Sequence, residues 1–129
     1  MTKNKTFQCA VFLCGLSVVF GAFGAHLLEN LLDYHGKIDV FKTAISFQFN
    51  HSLALLFVGF LMTNKKNNHL FWTSLFFIFG ILFFSGSLYL LCLTNLSFIG
   101  LLTPLGGSFL IMGWIRLFIF FNTLPFPKS

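Results

Sequence analysis

The chain has 129 residues, of which 57% are hydrophobic, 21 are Phe and only 9% are charged. A soluble domain carries about 25% charged residues, so this one cannot clothe a water-facing surface and takes lipid as its solvent. The formal charge of +5 comes from basic residues scattered along the chain, with no basic stripe for a phosphate backbone to follow, which argues against nucleic acid as a partner.

Residues 6–28 contain no Asp, Glu, Lys or Arg. As a helix they reach about 34 Å, enough to cross a hydrocarbon core of about 30 Å. Lys3 and Lys5 ahead of this run also fit a secretory signal, but the run exceeds the usual signal core of about 7–15 residues, so it is read as the first span. Ser17, Gly21, Gly24 and Ala25 give it a flat face of small side chains, on which a neighbouring helix can pack closely. The mixed segment 30–42 holds Leu31, Leu32, Ile38 and Phe41 among charges, and reads as a short amphipathic element at the membrane surface or as a polar loop.

Three more uncharged or nearly uncharged runs follow, at residues 43–62, 70–93 and 98–121, the last interrupted only by Arg116. No alternation of the barrel kind is present. The expected fold is therefore all-α, a single integral membrane four-helix bundle over residues 1–129. Lys3, Lys5, Lys65, Lys66, Arg116 and Lys128 fall on one side of such a bundle; Lys37 and Lys42 fall on the other, with all three acids, Glu29, Asp33 and Asp39. Cytoplasmic loops collect Lys and Arg, so both termini are expected in the cytoplasm.

That orientation gives each polar side chain a depth. Gln48 and His51 lie roughly 9–14 Å below the outer boundary at 1.5 Å per residue. His26, Ser85, Tyr89 and Thr103 fall in the same outer half, and together these six form a candidate polar layer. At about 100° per residue, Gln48 and His51 share a side of span two, Ser85 and Tyr89 share a side of span three, and Ser87 and Asn50 point elsewhere. Gly106 and Gly107 supply a second small face, on span four.

The layer admits two uses, interhelical hydrogen bonding or the binding of a small ligand. No catalytic set accompanies it. Ser85 or Ser87 with His51 lacks an orienting acid, so no enzyme activity is expected. Cys9, Cys14 and Cys92 form no C-x-x-C pair, and no ligand spacing marks a metal site or a cofactor. A small-solute or proton-linked transporter is the alternative, and it requires an oligomer because the inner half offers mainly Arg116. A haem- or metal-binding protein using His26 and His51 is the third reading. The expected partners are the lipid bilayer and further copies of the chain, with no soluble partner.

The segments at residues 20–26 (FGAFGAH), 41–56 (FKTAISFQFNHSLALL), 80–91 (GILFFSGSLYLL) and 100–114 (GLLTPLGGSFLIMGW) together resemble the YgdD/YwdK-like family, in order and over nearly the whole chain. These are small four-span bacterial inner-membrane proteins of unknown function. The resemblance implies a plasma-membrane bundle and supplies no activity or cofactor. The family often has Tyr where this chain has Phe47.

Overall fold

The computed structural model describes residues 1–62 and 67–124, with Ala25 described by its backbone alone. The cationic loop with Lys65 and Lys66, the tail with Lys128 and the packing assigned to the Ala25 side chain lie outside the described residues.

The described chain is helical and carries four apolar helical stretches long enough to cross a membrane: Lys3–Gly24, Ile38–Leu61, Asn68–Thr94 and Ser97–Asn122. Helix α1 (Lys3–Val19) opens on Thr2, whose hydroxyl accepts from the Lys5 amide at 3.4 Å and fills part of the first turn. It does not continue as one helix to residue 28. Phe20–Gly24 winds as a π turn, α2 (Ala25–Leu27) adds a short piece, and Leu28 breaks the helix before α3 (Glu29–Tyr34). The wide turn inserts a residue relative to α-helical winding, so the 100° register used for span one fails beyond Val19.

The surface element is accordingly shorter than residues 30–42. Gly36, at φ +62°, stops α3. The Gly36 and Lys37 amides donate back to Asp33 and Leu32 carbonyls at 2.9 and 2.8 Å, closing the helix end in the way that glycine at a left-handed position permits. Helix α4 (Ile38–Leu61) starts at once, with Asp39 in its first turn, where a carboxylate complements the helix dipole. Leu32 is turned inward and packs with Phe41 and Cys92, so α3 closes one end of the bundle.

Helix α5 (Asn68–Thr94) is capped by Asn67, whose side chain accepts from the His69 and Leu70 amides at 2.9 and 3.3 Å. It ends on Asn95 in the left-handed region at φ 55°. A 3₁₀ turn (Ser97–Leu101) leads into α6 (Leu102–Asn122). Pro104 falls in the first turn of α6, where its missing N–H has no intrahelical partner to lose.

Contacts run between consecutive spans: α1 on α4, α4 on α5, and most extensively α5 on α6. Small residues set that last interface. A Cβ on Gly106 would run into the Phe83–Phe84 backbone, and one on Gly113 would meet the Phe77 ring at 2.6 Å. Gly80 lies under Leu110 in the same way. Phe77, Leu55, Val58, Leu70, Ile81 and Leu110 form the main buried cluster. Among the described residues, spans one and four share no comparable interface, so their small faces serve spans two and three respectively.

Candidate functional site

The centre of the polar layer is Gln48, which is 2% exposed. Its position on the inward stripe of α4, with Ala44 and Ser52, follows from i, i+4 spacing. Its Nε2–H donates to the Leu13 carbonyl of α1 at 2.9 Å, and its Oε1 accepts from the Tyr89 hydroxyl of α5 at 2.9 Å. One carboxamide thus joins three helices. Tyr89 is steered into this bond by the edges of Phe20 and Phe41, whose centroids lie 4.8 and 5.5 Å from its own. Below it, Ser52 Oγ donates to the Gln48 carbonyl at 2.6 Å.

A second bond joins the remaining span. Ser87 Oγ donates to the Phe84 carbonyl at 2.9 Å, which uses its proton, and it therefore accepts from Thr103 Oγ1 at 2.8 Å. Ser87, expected on a face apart from the layer, is thus the residue through which α5 reaches Thr103.

Ser85, His26 and His51 do not join Gln48. Ser85 is 1% exposed, on the buried side of α5, and its hydroxyl has no hydrogen-bond partner. His26 sits in α2 with its side chain exposed; even unbroken α-helical winding would set it about 180° round from buried Ser17, on the side away from the neighbouring helices. His51 lies towards α6. Its Nδ1 faces the Phe47 carbonyl at 2.9 Å, and its Nε2 lies 3.2 Å from Trp114 Nε1. A carbonyl only accepts and an indole N–H only donates, so the imidazole is the neutral Nδ1–H tautomer with both nitrogens engaged. Its ring also meets the edge of Phe77 at 5.9 Å. Gln48 and His51 point about 60° apart round the helix, near enough to share a hemisphere but too far to share a partner.

The packing residues are placed as follows. Ser17 is buried and shares its proton between the Leu13 and Cys14 carbonyls, at 3.0 and 2.8 Å. A Cβ on Gly21 would touch Ile45 at 3.9 Å, and one on Gly24 would press into the Phe41 ring at 2.7 Å. Gly106 abuts the α5 backbone, whereas a Cβ on Gly107 would meet only the Phe84 ring at 3.7 Å.

Three participants escaped the sequence reading. The Leu13 carbonyl has no sequence signal. Trp114 has one, since an indole N–H in an apolar span needs an acceptor. His35 lies beyond the layer, where its Nδ1–H donates to the Cys92 carbonyl at 2.9 Å and fastens the α3–α4 turn to α5. A surface cavity of about 130 Å³ is lined by Glu29, Leu32, Ile38, Phe41 and Lys42, and by no residue of the polar layer. Among the described residues, no group of three or more His, Cys, Asp or Glu side chains converges.

Residues 20–107 match the family profile described as a protein of unknown function, DUF423. The chain is 43% identical over 104 residues to a UPF0382 membrane protein of Staphylococcus saprophyticus, an alignment covering 81% of this chain and 85% of the relative. It is 38% identical over 105 residues to the UPF0382 membrane protein YwdK of Bacillus subtilis, covering 81% and 85%. With the UPF0382 inner membrane protein YgdD of Escherichia coli K12, identity is 34% over 104 residues, covering 79% and 77%. No solved structure matches the chain. A profile match over most of the chain, relatives aligned over most of their length and four apolar helices long enough to span place this protein in the DUF423 family of membrane proteins.

Proposed function

We propose that the chain is a non-enzymatic inner-membrane protein, with both termini cytoplasmic, whose polar layer is an internal brace that fixes how four helices pack. The observation that carries this reading is Gln48, with its donor end on α1 and its acceptor end on α5. The Ser87–Thr103 bond extends the brace to α6. Lipid tails give helices no hydrophobic reason to choose one packing over another, so polar bonds and small-residue contacts set the register. A ligand site would leave donors and acceptors turned towards a cavity. Here the carboxamide of Gln48 and the hydroxyls of Tyr89, Ser87 and Thr103 turn to each other and to carbonyls. Lys3 and Arg116 at one end, with Glu29, Asp33 and Asp39 at the other, support the orientation, and a relative bearing the name of inner membrane protein supports the location alone.

Thermal unfolding in detergent tests the brace. Gln48→Leu and Tyr89→Phe should each lower stability, and the double variant should lose less than the sum, because both singles remove one shared bond. Additive losses, or no loss, would reject the brace.

A further inference from the structure

Asn50 is the thirteenth of the 24 residues of α4, which puts its carboxamide at the middle of the span, about 18 Å from either end. It points about 200° away from Gln48, and it is exposed. Its recorded bond is a long one, Nδ2–H to Ser46 Oγ at 3.4 Å, and Ser46 is itself exposed one turn away. The exposed hydroxyls of Thr43 and Ser108 are satisfied within their own helix: Thr43 donates to Asp39 O at 2.8 Å and Ser108 to Pro104 O at 2.9 Å. Among the described residues, Asn50 Oδ1 and the second Nδ2–H have no such outlet. At mid-depth no water or head group reaches them, and an unsatisfied amide in hydrocarbon is costly.

We propose that this face of α4 is the interface between two copies of the chain, packed in parallel with Asn50 against Asn50. Copies inserted with the same orientation present each residue at the same depth. A two-fold axis along the membrane normal therefore brings a mid-span residue to its own counterpart. A carboxamide is both donor and acceptor, so two of them close a reciprocal pair, each Nδ2–H to the other's Oδ1, and leave no polar atom in lipid. Leu53, 44% exposed on the same side of α4, supplies apolar contact below the pair. The brace lies on the opposite side of the helix, so this interface stands or falls apart from it.

The test is self-association in lipid vesicles, read by energy transfer between two fluorescent versions of the full-length chain as lipid is added in excess. The parent chain should transfer energy above the random-collision level, Asn50→Leu should weaken association about tenfold, and Asn50→Gln should retain most of it. Because Asn50 is exposed in the single copy, Asn50→Leu should leave thermal unfolding of detergent-isolated monomer unchanged. Independently, Leu53→Cys should form a cross-linked dimer in oxidised membranes beyond the parent's background, and Ile111→Cys, on exposed α6, should not. Energy transfer at the random level, undiminished association in Asn50→Leu, or cross-linking through Ile111 in place of Leu53 would each overturn the proposal.

Discussion

At the scale of single residues, the structure turns an inventory of polar side chains into specific pairs with separate consequences. Tyr89→Phe leaves Gln48 Oε1 without its donor while keeping the ring edges against Phe20 and Phe41. The expected cost is about 0.6–2 kcal/mol, the range of interhelical hydrogen bonds in membranes. Thermal or denaturant unfolding in a fixed detergent measures it. Gln48→Leu should cost more, since it removes the link to Leu13 as well and changes the shape of a buried site. The pair His51 and Trp114 is independent of Gln48, being bonded towards α6. Trp114→Phe should therefore add to Tyr89→Phe within about 0.5 kcal/mol, and a non-additive result in a double-mutant cycle would mean that the two clusters are coupled. Ser85→Ala should be neutral or slightly stabilising, because it removes a buried hydroxyl that bonds nothing.

Helices as elements are held by close backbone approach more than by propensity. Gly106 and Gly86 make a useful contrast on the two helices with the most extensive contact. At Gly106 any Cβ meets the backbone of α5, which cannot swing aside as a side chain can. Gly106→Ala should force α5 and α6 apart and destabilise by about 1–3 kcal/mol. At Gly86 a Cβ meets nothing within 4 Å. Gly86→Ala should be neutral, or stabilising by up to about 1 kcal/mol through helix propensity. Parallel unfolding curves decide both. Gly36 belongs to a different class: its positive φ is required by the turn between α3 and α4, so Gly36→Ala should cost about 1–2 kcal/mol although space is free around it.

For the whole molecule, orientation is the property with the widest reach. A reporter fused after Ser129 should read cytoplasmic, and one inserted at Gly36 should read external. The reverse result would place the α3 cap, the Glu29–Lys42 cavity and the layer around Gln48 in the other leaflet, without changing any contact inside the bundle. The internal brace and the outward Asn50 face lie on opposite sides of α4, so one helix bears both the packing of a single copy and the proposed pairing of two.

How much of this was legible beforehand follows from what each feature depends on. The four spans and the all-α class follow from composition alone, because the length of an uncharged apolar run decides whether a helix can cross lipid. Gln48, Tyr89 and Thr103 were legible as inward polar groups for the same reason: α-helical spacing fixes their faces on uninterrupted helices. The π turn at Phe20–Gly24 was not, since an apolar, glycine-containing run reads equally well as continuous α-helix. Tertiary structure decided which polar groups meet. His51 and Gln48 look alike on a helical wheel, but α6 offers an indole to one, and α1 a carbonyl and α5 a phenol to the other. A hydrogen bond needs both partners within about 3 Å, and only the packed helices bring partners from different spans that close.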